Sequence, residues 1–136
     1  MFLPKSDVFK DLRQETINDI SEIAVEETYD KGAVLYSPGD PANHLFILVE
    51  GKVCLNIGES AKMSYVVEHL GETFGWPSIV GHSFYVTEAQ CVTPTRLLKI
   101  ERTKLEAVFD AHERSGRKFY SRLAAALGQR LIDVHQ

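Results

Sequence analysis

A chain of 136 residues has room for one domain around one core and is short for two of ordinary size. With 44% hydrophobic and 25% charged residues its composition is that of a soluble globular protein, and no apolar run approaches the ~20 residues of a membrane span. A net charge of −4 argues against a general polyanion binder, because affinity for nucleic acid rests largely on Lys and Arg neutralising phosphates.

The opening residues, Met1-Phe2-Leu3-Pro4-Lys5-Ser6-Asp7, hold no basic stretch followed by an apolar one. A secretory signal is therefore not expected, and the cytoplasm is the default compartment. Over residues 12–24 the apolar side chains Leu12, Ile17, Ile20, Ile23 and Ala24 fall at helical spacing, which predicts an amphipathic opening helix. From Tyr29 the period changes. Short segments rich in β-branched and aromatic residues predict strands near 33–37, 44–50, 52–57, 63–69, 86–92 and 95–101. Turn residues separate them: Ser37-Pro38-Gly39-Asp40-Pro41, Glu50-Gly51, Gly58-Glu59-Ser60 and Gly71-Glu72. Many short strands with tight turns predict a sandwich or barrel. Thr103-Lys104-Leu105-Glu106 then fits a capping box at a helix start. A second helix is expected over about 117–134, with Phe119, Leu123, Ala126, Leu127, Leu131 and Val134 on one face. Cys54 and Cys91 sit in strand-like apolar runs and read as buried thiols, with no spacing that suggests zinc.

Residues 29–55 read YDKGAVLYSPGDPANHLFILVEGKVCL, with Gly32, Gly39-Asp40, the apolar run 45–49 and Gly51 in fixed order. Leu70-Gly71-Glu72-Thr73-Phe74-Gly75 follows. Together these blocks closely resemble the cyclic nucleotide-binding domain family, including the sensory half of the Crp/Fnr transcription regulators. The resemblance runs from about residue 9 to 134. It implies a mainly β fold: a double-stranded β-helix, or jelly-roll, barrel with an N-terminal helix and two C-terminal helices. The expected layout is a single domain over 1–136, with an N-terminal helical segment at 1–28, the barrel at 29–102, a cassette at 71–88 and C-terminal helices at 103–136. The three glycines Gly32, Gly39 and Gly51 serve as scaffold turns in this reading and identify a fold rather than a function.

In that family a short helix after the Phe-Gly pair offers its amides to a cyclic phosphate, as helix N-termini do with anions. The resemblance implies a Glu directly after that Gly for the ribose, and an Arg at the next strand for the phosphate. Here the cassette reads Phe74-Gly75-Trp76-Pro77-Ser78-Ile79-Val80, so Trp76 stands at the Glu position, and alignment puts Tyr85 at the Arg position. Between residues 63 and 95 there is no Lys or Arg, while Glu68, Glu72 and Glu88 are acidic. A charge-assisted hydrogen bond contributes ~1.5–3 kcal/mol, and loss of one partner of a buried charge pair costs ~3–5 kcal/mol. At ~1.4 kcal/mol per decade that forfeits roughly two to three decades of affinity. His82 supplies a cation only at low pH, and Arg122 or Arg130 on the long helix are the candidates to reach in.

The expected ligand-contacting residues are Gly75, Trp76, Pro77, Ser78, Tyr85 and Thr87. Pro77 suits a helix's first turn, Trp76 and Tyr85 give flat amphipathic walls, and Ser78 and Thr87 add hydroxyls. Three uses stay open: Trp76 and Tyr85 plug the old pocket, the pocket takes a less charged or aromatic ligand, or cyclic-nucleotide binding persists. The expected function is a non-catalytic small-molecule-sensing or regulatory module in signal transduction, with no cofactor and an unidentified ligand. Rivals are a genuine cAMP or cGMP receptor, a ligand-free dimeric adaptor and, outside the fold's sensory uses, a cupin-like metalloenzyme. Against the last, His44, His69, His82, His112 and His135 form no H-x-H pair, and no nucleophile motif is present. No catalytic or metal-binding residue is expected.

The family's long last helix forms a dimer seam and leads into a DNA-binding unit. Here Phe119, Leu123, Leu127 and Leu131 repeat the seam-like face and the chain stops at Gln136. A homodimer through this helix is expected, with no direct DNA binding and no membrane contact. The alternative is that the same face packs on the barrel.

Overall fold

The computed structural model describes residues 8–57 and 63–134. The turn expected at Gly58-Glu59-Ser60, the segment 1–7 and His135 lie outside the described residues. Helix α1 (Gln14–Ile23) precedes eight strands: β1 (Val25–Tyr29), β2 (Val34–Tyr36), β3 (His44–Glu50), β4 (Val53–Ile57), β5 (Met63–Val67), β6 (Thr73–Phe74), β7 (Glu88–Cys91) and β8 (Thr95–Glu101). A 3-10 helix, Trp76–Ile79, interrupts them, and α2 (Arg102–Ala111) and α3 (Glu113–Val134) close the chain. The strands form two four-stranded antiparallel sheets, ordered β1-β8-β3-β6 and β2-β7-β4-β5. This is the expected jelly roll flanked by helices.

Strand β3 organises the molecule because both its faces are buried. Leu45 and Ile47 point to the helices, with Ile100 and Leu98 opposite them on β8. That face packs against Val8, Phe9, Ile20, Leu105, Phe109, Phe119 and Leu123. The alternate residues Phe46 and Leu48 point into the barrel, among Tyr36, Val53, Val67, Phe74, Ala89 and Leu97. A strand covered on both sides needs a continuous apolar run rather than alternation, and LFILV supplies it. Cys91 is buried in the barrel, Cys54 is half-buried on the other face of its sheet, and both are free thiols.

Four elements differ from the sequence expectation. The sheet begins at Val25 rather than Tyr29, because β1 pairs along its whole length with β8. It is an edge strand whose Glu26 and Glu27 lie 3.8 Å from Arg96 and Lys99, so its charge hid it. Strand β6 has two residues, too few to carry a period. The capping box does not form: Glu101 occupies the N-cap, Thr103 Oγ1 donates to Glu101 Oε1 at 2.7 Å, and Glu106 pairs instead with Arg102 at 3.7 Å. Helix α3 starts at Glu113, four residues before the expected start at 117, through a Ser115-Gly116 step that reads as a breaker. A Cβ on Gly116 would sit 3.0 Å from Phe109 Cβ, so this glycine lets the first turns of α3 close on α2. Buried Thr16 Oγ1 donates to Ser115 Oγ at 2.9 Å and ties α1 to the same turn.

Candidate ligand-binding pocket

After β6 the chain reverses at Gly75, which adopts φ 78°, a left-handed conformation open to glycine. A Cβ there would meet His44 O at 2.9 Å and the Phe46 ring at 2.8 Å, so the turn lies flat on β3. This contact seats the 3-10 helix Trp76–Ile79. Ser78 is fully buried, and both its Oγ and its amide bond back to Gly75 O, at 2.8 and 3.3 Å. Pro77 has no amide hydrogen. Two of the turn's first three residues therefore present no free N–H to an anion, and the expected role of Ser78 as a ligand hydroxyl gives way to a structural one.

Beside this turn lies a cavity of about 340 Å³. Its walls are Trp76 and Pro77 from the turn, Tyr36, Leu55 and Tyr65 from the strands, Val86 and Thr87 at the entry to β7, and Leu127, Arg130 and Leu131 from the last turns of α3. Thus Trp76, Pro77 and Thr87 of the expected set come together at one cavity. Tyr85 does not. It is 4% exposed, stacks on Tyr36 with ring centroids 3.8 Å apart, and donates its hydroxyl to His44 O at 2.6 Å. The Tyr85 phenol oxygen also accepts the His44 amide at 3.3 Å, and burial pushes the Tyr85 pKa up to about 12. The side chains that face the cavity where β7 begins are Val86 and Thr87. Burial raises the Tyr36 phenol further, offset in part by Thr87, which interacts with its hydroxyl. His82 meets Trp76 edge-on with centroids 6.5 Å apart and is not a wall residue.

Of the two distant arginines, Arg122 bonds Lys10 O at 2.6 Å and pairs with Asp11 at 3.2 Å, away from the cavity. Arg130 enters it. Its Nη2 donates to Thr73 O and lies 3.5 Å from Glu72 Oε2, and its guanidinium carbon stands 4.8 Å from the Tyr65 ring centroid. Tyr65 donates its hydroxyl to the same Glu72 carboxylate, whose Oε1 accepts the amides of Glu68 and His69 at 3.2 and 3.3 Å. The Arg130 and Glu72 side chains are only 13% and 14% exposed. Arg130 Nη1 is buried without a hydrogen-bond partner among the described residues. Burial, followed by the bond to Glu72, pushes the Tyr65 phenol up to about 12.

The expected seam divides. Phe119 and Leu123 are buried within this chain's own core and present no surface to a second copy. Leu127 and Leu131 line the cavity, and Leu131 is also exposed. Sequence reasoning missed Tyr36, Leu55, Tyr65 and Val86 as wall residues. Their only signal was an aromatic or apolar side chain on a strand, which also describes core. No three His, Cys, Asp or Glu side chains converge as a metal site among the described residues. No helix among them is long and apolar enough to cross a membrane.

Comparison with known proteins agrees with this architecture. The human cGMP-dependent protein kinase 2 is 26% identical over 100 residues, 74% of this chain but 13% of the kinase, so the chain spans about an eighth of that relative's length. A solved structure from Geobacter metallireducens, described as a candidate cyclic nucleotide-binding protein, superposes with a TM-score of 0.79 at 26% identity, covering 91% of both chains. A cyclic nucleotide-binding domain from Methylobacillus flagellatus has the same fold, with a TM-score of 0.81 at 19% identity over 95% of this chain and 76% of that one. The family model of the cyclic nucleotide-binding domain matches residues 26–112, more than half of the sequence, and the chain belongs to that family.

Proposed function

We propose that this chain is a non-catalytic sensing module whose pocket takes a small molecule other than a cyclic nucleotide in the family's usual pose. Its relatives are regulatory domains, or parts of larger proteins that carry catalysis elsewhere. The observation that carries the reading is that the cavity persists while its cation is already matched: Arg130 faces Glu72 at 3.5 Å. Trp76 stands where the ribose carboxylate is expected, and Pro77 and Ser78 withhold their amides. A cyclic phosphate would enter beside a guanidinium that Glu72 already pairs, with no unpaired positive charge among the described wall residues, and an uncompensated buried charge is costly.

Occupancy reaches partners through α3, which contributes Leu127, Arg130 and Leu131 to the cavity wall. The last turns of that helix also leave Leu131 and Ile132 exposed at 62% and 52%, and a second copy of the chain is the expected occupant of this edge. Calorimetry of the purified chain with cAMP and with cGMP at neutral pH is expected to give no saturable heat at micromolar concentrations. Tight stoichiometric uptake of either would return the module to the second-messenger receptors. Light scattering is expected to give a dimer mass that falls to the monomer in Leu131→Asp; a monomeric wild type removes the seam.

A further inference from the structure

We infer that the Trp76 cavity takes an uncharged, predominantly apolar molecule, held by burial of its apolar surface rather than by a charge or a hydrogen bond. The inference deepens the proposed sensing role of the same cavity and rests on it. The charge and the hydroxyls of the wall are already engaged. Arg130 Nη2 is held by Thr73 O and Glu72, residues that line a different cavity, and Nη1 is fully buried and out of a ligand's reach. Tyr65 donates its hydroxyl to the same Glu72 carboxylate, and the hydroxyls of Tyr36 and Thr87 interact with each other. What the cavity offers an entering molecule is the rings of Tyr36, Tyr65 and Trp76 and the aliphatic Leu55 and Leu127. A charged molecule would leave its hydration there and meet no counter-ion, and a polar one would meet few partners.

The opening of the cavity is apolar as well. Val86 and, from α3, Leu131 belong to the same wall and are nevertheless 57% and 62% exposed, so they stand at its mouth. Aliphatic side chains left in water at a mouth are covered when an apolar molecule seats, and that removal of surface from water is favourable. A polar molecule gains nothing by passing them. Volume sets the size. The cavity of about 340 Å³ lies near the lower limit of small-molecule pockets. At ~30 Å³ for an atom of water's size, it holds about ten non-hydrogen atoms. Two fused rings fit that space and match its aromatic walls.

The test compares naphthalene with adenine, which has a similar flat two-ring outline and is uncharged but polar. Trp76 is the chain's single tryptophan, so its indole N–H signal in a nitrogen-15 NMR titration reports this cavity. Naphthalene is expected to saturate that signal and to bind at least tenfold tighter than adenine. Val86→Ser removes apolar surface from the mouth at an exposed position, where the fold tolerates substitution, and is expected to weaken naphthalene about fivefold. The inference is overturned if naphthalene does not saturate, if adenine binds within tenfold of it, or if Val86→Ser leaves naphthalene binding unchanged. A parallel titration with cAMP separates the two levels. A silent cAMP arm with a failed naphthalene preference removes only the ligand class, whereas tight cAMP binding removes the sensing role proposed above as well.

Discussion

The two halves of α3 are held by different physics. The first half is fixed by apolar burial: Phe119 is 0% and Leu123 2% exposed, against Phe9, Phe109 and the helix-facing side of β3. The second half packs only the partly buried Ala126 and Leu127 on that core and adds a small polar cluster, Arg130 with Glu72, Thr73 O and Tyr65, beside a cavity. Apolar packing is non-directional and has no competitor other than unfolding. A hydrogen-bonded ion pair can exchange partners with whatever enters the space beside it. One helix thus joins a permanent anchor to an exchangeable contact, and the lower local stability expected of ligand-responsive segments belongs to its end.

That contrast breaks most directly at its apolar pole. Phe119→Ala is expected to cost about 3–5 kcal/mol through lost burial and a residual cavity. Leu131→Ala, on the exposed edge of the same helix, should stay within about 0.5 kcal/mol. Urea denaturation of both variants checks this, and equal losses would mean the helix is anchored along its whole length. The polar pole is sharpened by a double-mutant cycle. Arg130→Met strands the sheltered Glu72 carboxylate and should cost about 3 kcal/mol, while Arg130→Met with Glu72→Met should regain much of that, since loss of one partner is worse than loss of both. Additive losses would show that the pair is not coupled. The cassette seat gives a smaller effect. Gly75→Ala places a methyl 2.9 Å from His44 O at φ 78°, which strains the turn by about 2 kcal/mol. The same substitution should shift the Trp76 fluorescence of the native state. A loss of stability with unchanged fluorescence would detach the cassette from the pocket.

Legibility in the sequence follows the same divide. Strand β3 was readable because burial on both faces leaves an unbroken apolar run, and β8 because Leu97, Leu98 and Ile100 form an apolar centre between charged residues. Strand β1 was not, since its partner lies some seventy residues away and Glu26 and Glu27 meet their cations across the β1–β8 edge. The false capping box had the right residues two positions too far in: Thr103 is already inside the helix, and its hydroxyl serves Glu101. At the site, Gly75, Trp76 and Pro77 were local and legible. Tyr85 was a near miss, because the chain before β7 is irregular and turns Val86 and Thr87 to the cavity while Tyr85 packs on Tyr36. Arg122 and Arg130 stood equal in the sequence. They are eight residues apart, or about 80° of rotation on a helix, so only the docking of α3 chooses between them. The partners of Arg130, Tyr65 and Thr73, come from other elements, and no linear pattern joins them.

The smallest expected effect concerns His44, the residue whose backbone both Gly75 and Tyr85 grip. Burial lowers its pKa below the ordinary value, with Lys99 acting in the same direction and Glu101 and Glu27 opposing. The folded chain therefore resists protonating a side chain that titrates near ~6.5 when unfolded. Between the folded and unfolded values the unfolded state binds more protons, so stability rises with pH there and is lost as pH falls below about 6.5. The urea midpoint at pH 7.5 should exceed that at pH 5.5, and His44→Gln should narrow the gap. Were the gap unchanged, acid sensitivity would belong to groups other than His44. A narrowed gap accompanied by less acid-dependent Trp76 fluorescence would instead link protonation at the head of β3 to the cassette, because the groups that seat Gly75 and Tyr85 are the backbone atoms of this histidine.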